Sequence, residues 1–519
     1  MQHTTNTIHP NQYEKRWYVL GVMCLVLFIV SIDNTVLNLA LPSISEGLGA
    51  TASQLQWVVD AYTLVFASLL ITTGSIGDRY GRKRLLTMGL FLFGACSLGA
   101  ALSVSTGMLI GFRLILGVAG AMMMPSTLSI LTNIFRDDAE RAKAIAIWSS
   151  IFSIGAGIGP VIGGFLIDRY DWSSVFFLNL PIVTACLTGV FLVVPESKDP
   201  HTPKPDLPGV ALSIVGLLSL VFGVIHAGES GWTSSLVLAS FSVAAVFLSA
   251  FLWWENRSPN PMLPLEFFKN MSFTGANASL TISSFALMGS IYFFSQFFQS
   301  VQGYDPLVAA FMMVPMTPAV FLSTMGSIRV NARFGAKFTV SLGLLLSGLG
   351  LLLFSRFVGI DTSYWQILLS ILVLGSGIGF TISPATNSVM SSLPPNRAGI
   401  GSAMNDTTRQ LGGALGVAVL GALMNSTYRS EVTQLAGRAG VSTNLLKQVL
   451  SSIQNAHMAA SKLDQVLSTL VIQTSSQAFV DGMRETLFIA CLVMVVAAVA
   501  AWSILPVRDV AVETVPAED

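Results

Sequence analysis

Charge is the scarcest ingredient of this 519-residue chain: Asp, Glu, Lys and Arg together make up 10% of it, where a soluble domain carries about 25%. That excludes an ordinary water-facing fold. Acids and bases balance at 27 each, so no global field attracts polyanions and a nucleic-acid partner is not expected. The four cysteines (Cys24, Cys96, Cys186, Cys491) fall inside apolar runs without metal or redox spacing. No His/Cys cluster, nucleophile motif or phosphate-cradling loop occurs, which argues against an enzyme, a bound metal or cofactor, and direct use of ATP. The stretch before residue 17 is polar, ends in Lys15-Arg16 and lacks a small-residue cleavage site, so it is read as a tail and not a signal peptide.

What is abundant is apolar surface and small residues: 53% of residues are hydrophobic, with 45 Gly and 32 Phe. Such a composition suits helices that face lipid and pack closely on one another. Since a spanning helix needs about 20 apolar residues, candidate spans fall at 17–41, 54–76, 85–105, 107–131, 144–166, 175–195, 208–227, 234–254, 273–300, 307–328, 338–357, 363–390, 400–424 and 484–506. The expected fold is thus an all-α integral membrane protein of fourteen spans, read as 6 + 2 + 6. The expected organisation is a tail at 1–16, a first bundle at 17–195 and a linker at 196–272 holding two extra spans. A second bundle follows at 273–506, with a long outer loop at 425–483, and a tail at 507–519. Eighteen of the 27 Lys and Arg fall on the side of the termini and seven on the other, five of those in 425–484, the long loop and its edge. The positive-inside rule then puts both termini in the cytoplasm.

The two outer sixes echo each other. Gly74-Ser75-Ile76 with Arg79-Tyr80-Gly81 is repeated as Gly326-Ser327-Ile328 with Arg333-Phe334-Gly335, Gly81 and Gly335 lying 254 residues apart. Gly117, Pro125 and Arg141-Ala142 return as Gly375, Pro384 and Arg397-Ala398 at spacings of 258, 259 and 256. Duplicated halves are common in secondary transporters.

Four motifs narrow the reading. Asp33-Asn34-Thr35-Val36-Leu37-Asn38-Leu39-Ala40-Leu41-Pro42 in the first span resembles the D-x-T-V-x-N-x-A-L-P signature of the fourteen-helix drug:proton antiporters of the major facilitator superfamily. Gly74 to Arg84 is similar to that superfamily's loop between spans 2 and 3, and Arg113 to Ala121 resembles its R-x-x-x-G-x-x-x-A motif in span 4, although Leu116 stands where many relatives have Gln. Gly155-Ala156-Gly157-Ile158-Gly159-Pro160-Val161-Ile162-Gly163-Gly164 resembles the antiporter motif G-x-x-x-G-P-x-x-G-G of span 5. Asn179-Leu180-Pro181 and Arg409-Gln410-Leu411-Gly412-Gly413 are weaker echoes of the same family. The resemblance covers nearly the whole chain. It implies a latch made by Asp78 and Arg82, with Gly74, Gly155, Gly159, Pro160 and Gly163 serving gating and close helix packing.

Five ionisable groups fall within spans, and each is costly enough there to be a functional candidate: Asp33, Asp60, Arg113, Asp406 and Arg409. At 1.5 Å per residue Asp33 lies roughly 24 Å up a core about 30 Å thick, and Asp60 and Arg113 each roughly 9 Å below the outer face. All three share one layer. Asp33 and Arg113 are assigned as the proton-coupling pair, a permanent structural ion pair being the alternative. Asp406 and Arg409, three residues apart, can pair on one helix face. Asp60 is then the carboxylate left over, suited to a lipophilic cation, with Phe285, Tyr292, Phe293, Phe294, Phe297, Phe298 and Gln296 of span 9 offering aromatic faces and amides, some of the aromatics facing lipid. The substrate-facing candidates are Asp60, Asn38, Tyr292, Gln296, Asp406 and Arg409.

The expectation is a proton-driven exporter of lipophilic, cationic small molecules, working as a monomer in the cell membrane and needing no cofactor beyond the proton gradient. Export of an endogenous lipid or secondary metabolite, and a non-transporting membrane sensor or scaffold, are the alternatives.

Overall fold

The computed structural model describes residues 14–135, 137–198, 206–261, 263, 265–392, 398–439 and 443–506. Most of both expected tails, and Arg397 of the repeat, lie outside those residues. The described residues form helices and short connections.

Helices α1 (Arg16–Leu48), α2 (Ala52–Tyr80), α3 (Arg82–Ala101), α4 (Thr106–Ile134), α5 (Asp138–Arg169) and α6 (Asn179–Val193, preceded by the single turn Ser174–Phe177) make the first half. Helices α7 (Leu207–Ser230) and α8 (Ser235–Glu255) follow, and then α9 (Met271–Gln296), which runs on as a π-helical turn at Phe297–Val301. The second half continues with α10 (Pro306–Met313), α11 (Met316–Phe357), α12 (Tyr364–Ser391), α13 (Ala398–Ala439), α14 (Thr443–Ser451), α15 (Ile453–Ala460) and α16 (Gln465–Ile504). Among the described residues eleven helical segments are long and apolar enough to cross a membrane, or twelve when the bent segment Ala52–Tyr80 is taken as one span. Alternating reversals put Arg16 and Ile504 at one end, called proximal here; the turn at Gly49–Thr51 lies at the other, distal end.

Local chemistry sets the reversals. Gly49 takes φ +65° to end α1, and Thr51 opens α2 with a reciprocal cap in which its hydroxyl accepts from the Gln54 amide while the Gln54 side chain accepts from the Thr51 amide. Gly81 (φ +126°) separates α2 from α3. Its repeat partner Gly335 (φ +81°, ψ +169°) leaves helical geometry in the middle of α11, a conformation open to glycine and strained for other residues.

Within the first half α2 packs on α4, α3 on α4, and α1 on α5 and α6; within the second α9 packs on α13, α11 on α12 and α16, and α13 on α16. Among the described residues the halves meet most extensively along three seams, α2 with α13, α5 with α10, and α1 with α9. Helix α7 lies on the first of these, where Val221, Val224 and Ile225 pack with Leu64 of α2 and Ala414, Ala418 and Ala422 of α13.

Two expectations from the sequence change. The stretch 425–483 is no loop in its outer parts: α13 continues to Ala439 and α16 starts at Gln465, leaving only the short helices α14 and α15 between them. The apolar-run criterion finds where lipid ends, whereas the helix continues wherever its backbone bonds and one packed face persist, here through Val471, Ser475, Ala478 and Phe479. Second, most of the α9 aromatics do not face lipid. Tyr292, Phe293, Phe294, Phe297 and Phe298 are all buried, and Phe285 is half-buried.

Candidate functional site

Glycine makes the centre of the first half possible. A Cβ at Gly117 would lie 2.6 Å from the Tyr62 carbonyl oxygen, so the bare glycine lets α4 press against the α2 backbone. One turn away, Arg113 then reaches α2: its Nε donates to the Val58 carbonyl at 3.0 Å and its guanidinium lies 4.4 Å from the centre of the Tyr62 ring. Its Nη1 donates to Asp33 Oδ2 of α1 at 2.6 Å. The other Asp33 oxygen accepts from Asn179 Nδ2 at 3.3 Å, which also donates to Ser97 Oγ at 3.1 Å. Both charges are almost wholly buried. An ion pair in such a setting persists only because the remaining donors and acceptors are met, here by Val58, Tyr62 and Asn179.

The layer read from the sequence is therefore real for Asp33 and Arg113, while Asp60 stands apart from their pair. Asp60 is fully buried, and neither of its oxygens has a hydrogen-bond partner. Across the α2–α9 approach the Tyr292 hydroxyl faces the side chains of Gln296 and Gln56 and lies in the field of the Asp60 carboxylate. Gln56 is buried against Gly421 of α13, with its Oε1 unpaired. Phe294 and Phe297 belong to an aromatic cluster with Phe354, at 4.7 and 5.9 Å between ring centres, and serve packing.

The other candidates lie elsewhere. Asn38 donates to the Asn34 carbonyl at 3.2 Å, and its own carbonyl accepts from Ser295 Oγ at 2.6 Å, tying α1 to α9. Asp406 interacts with Arg409 and Asn405 of its own helix. It sits fifteen residues, or about 22 Å, along α13 from the Gly421 position that meets Gln56. The structure does not bring it into the Asp60 cluster.

Asp78 and Arg82 pair at 2.7 Å, and Arg82 Nη1 donates to the Ser129 carbonyl at 3.2 Å, contacts that all lie inside the first half. The span 5 motif is placed between halves. A Cβ at Gly155 would lie 2.7 Å from Ser31, one at Gly163 would lie 2.5 Å from Val36, and one at Gly159 would strike Thr35, all on α1 within a turn of Asp33. Gly157 and Gly164 look the other way, with 3.0 Å to Thr317 and 2.8 Å to the Leu307 backbone. Pro160 lies inside the helix between these faces. Gly74 has no such constraint, since its Cβ would meet Pro125 at an ordinary 3.6 Å.

Sequence reasoning passed over Tyr62, Gln56 and Asn179 as site residues. Only Asn179 carried a signal, the Asn179-Leu180-Pro181 echo.

A duplicated helical bundle, with an acid–base pair buried in one half and an unpaired carboxylate near the seam between halves, has the architecture of a secondary membrane transporter. Residues 23–417 match the Major Facilitator Superfamily model, and the chain belongs to that superfamily. It is 35% identical over 484 residues to the multidrug efflux pump LfrA of Mycolicibacterium smegmatis, an alignment covering 93% of this chain and 95% of that protein. It is 31% identical over 492 residues to the multidrug resistance protein Stp of Mycobacterium tuberculosis, covering 93% and 91%. Among solved structures, a bacterial homologue of the human lysosomal transporter Spinster, inward-facing and occupied, superimposes with a TM-score of 0.63 at 16% identity, over 94% of this chain and 97% of that one. At that identity the likeness speaks for the fold alone. The chain is a multi-pass membrane transporter.

Proposed function

We propose that this transporter is a proton-driven exporter of lipophilic organic cations, acting as a single chain in the cell membrane with both termini in the cytoplasm. The reading counts fourteen spans: the twelve that pass on length and hydropathy, α5 with its 32 residues, and a further one from division of the Pro306–Phe357 segment at Gly335. Helices α7 and α8 are the inserted pair. Its relatives LfrA and Stp, named for multidrug efflux and resistance, support the export of drugs.

One observation carries the mechanism: the two buried carboxylates of the first half have different partners. Asp33 is held by Arg113, while Asp60 has no hydrogen bond and lies near an aromatic hydroxyl. A carboxylate beside a guanidinium favours its ionised form, and one removed from it into an apolar setting favours the protonated form. A conformational change that parts Asp33 from Arg113 therefore loads a proton, and re-forming the pair expels it. Asp60 holds the cation, to which the Tyr292 ring adds its face. With the cytoplasm at the proximal end, the Asn38–Ser295 link and the Gly164–Leu307 approach lie in the outer part of the molecule, which fits a state closed to the outside and open inward.

The test is accumulation of a fluorescent lipophilic cation in inside-out vesicles under an imposed proton gradient. Wild type accumulates the dye and Asp60→Asn loses it. A signal indifferent to the gradient would overturn proton antiport.

A further inference from the structure

The helix α15 is short, yet it is bound to both halves at the distal end of the molecule. Ser452 caps it by accepting from the Asn455 amide at 3.1 Å, and the Ser452 hydroxyl meets Ser45 Oγ of α1 at 3.1 Å. Asn455 Nδ2 donates to the Ala50 carbonyl at 3.2 Å. From the other side, the Tyr428 hydroxyl of α13 donates to the Val449 carbonyl at 2.8 Å, fixing the chain just before α15. The segment so held presents Gln454, which is 2% exposed. Its Nε2 donates to Ser300 Oγ at 2.9 Å and to Gln296 Oε1 at 3.4 Å, while its Oε1 has no partner.

Gln296 belongs to the cluster around Tyr292, and Tyr292 faces Gln56 and Asp60. Four buried acceptor oxygens without a hydrogen bond thus sit on elements that converge on these two α9 side chains: both oxygens of Asp60, Oε1 of Gln56 and Oε1 of Gln454. Buried acceptors are nearly always paired in folded proteins. A cluster of them lacking donors is complementary to a ligand that brings donors, and a quaternary or phosphonium cation brings none.

We infer that Gln454 of the α13–α16 connection, together with Gln56, completes the Asp60 site as a hydrogen-bond acceptor, so that the transporter favours cations bearing N–H groups (amidinium, guanidinium or protonated amine) over cations without them. The inference rests on the reading of Asp60 as the cation site. It makes the connection a specificity element as well as a cover. A donor-rich cation engages Gln454 Oε1 directly and draws the amide away from Gln296.

The experiment measures gradient-driven uptake of radiolabelled pentamidine, a bis-amidine, and of tetraphenylphosphonium, which has no N–H, by the full chain in proteoliposomes. Gln454→Leu is expected to lower the ratio of pentamidine to tetraphenylphosphonium kcat/KM by roughly tenfold, the value of one hydrogen bond to a charged donor. Gln454→Glu, which keeps the acceptor, holds the ratio near or above that of wild type. Gln56→Leu shifts it in the same direction as Gln454→Leu, and uptake of tetraphenylphosphonium reports that each variant is folded. An equal fall for both cations in Gln454→Leu and Gln56→Leu, or no change in the ratio, overturns the inference. Undiminished uptake of both cations by Asp60→Asn overturns the site reading beneath it. Loss of both cations in Asp60→Asn with an unchanged ratio in Gln454→Leu sinks the inference alone.

Discussion

The two halves of the molecule share their scaffold and differ in their chemistry. Gly81 and Gly335 both adopt positive φ at corresponding breaks in helical geometry. Gly117 and Gly375 both let a helix approach a neighbour's carbonyl, that of Tyr62 in the first half and that of Met316 in the second. Yet the position one turn before Gly117 is Arg113, locked to Asp33, whereas the position one turn before Gly375 is Ile371, buried in an apolar core. The second half carries its charge within spans elsewhere, on the half-buried Asp406 and Arg409 of α13. Duplication can preserve the features that let helices touch while leaving each copy free to gain or lose an ionisable group, because packing constrains shape and a proton site constrains only a few atoms.

Making the first half resemble the second breaks that comparison most severely. Arg113→Ile leaves Asp33 buried without a partner and should destabilise the protein by about 3–5 kcal/mol, read as a fall in the thermal unfolding midpoint in detergent, with gradient-driven transport abolished. Adding Asp33→Asn to it should restore much of the stability and none of the transport; recovery of both would show that the pair is structural.

A smaller difference separates the packing glycines. A Cβ at Gly117 meets the Tyr62 carbonyl at 2.6 Å, but one at Gly375 meets the Met316 carbonyl at 3.1 Å. Gly117→Ala should therefore cost about 1–3 kcal/mol and Gly375→Ala clearly less, in the same melting experiment. Equal costs would mean that the two approaches are equivalent. The positive-φ glycines, by contrast, should behave alike: Gly81→Ala and Gly335→Ala each place a Cβ at positive φ and should lose about 1–2 kcal/mol.

The smallest effect concerns the α13–α16 connection, which has no counterpart in the first half. Burial pushes the His457 imidazole of α15 below its ordinary 6.5, and its Nε2 lies 3.3 Å from Ser476 Oγ. Docking of α15 thus favours the neutral ring. Its stability is complete above about pH 6.5, where the undocked ring is neutral too, and declines as the pH falls and the undocked form gains a proton. The protection factors of amides 453–460 against hydrogen exchange, that is, rates corrected for the intrinsic pH dependence, should fall between pH 7.5 and pH 5.5, and His457→Gln should flatten that dependence.

How far the sequence foretells these contacts depends on the kind of information each needs. The depth of a residue along a helix follows from counting, so the positions of Asp33, Asp60 and Arg113 in the chain suffice to put them in one layer, but not to say which of them touch. Their rotational position around the helix axis does not follow from counting. That is why the apolar pattern of α9 leaves some of its aromatics facing lipid, against their burial in the fold, and why Asp60 in the same layer is left over only by elimination. The internal repeat is legible because turns demand glycine at set places. Gln454 is invisible in the sequence: its partner Gln296 is 158 residues away, and a polar stretch between spans does not show what it covers.

The most direct test of divided roles is to measure cation binding and gradient-driven accumulation on the same purified, reconstituted Asp33→Asn protein. The account predicts that tetraphenylphosphonium still binds and exchanges across the membrane while accumulation against a gradient is lost. Full concentrative uptake by Asp33→Asn would contradict it.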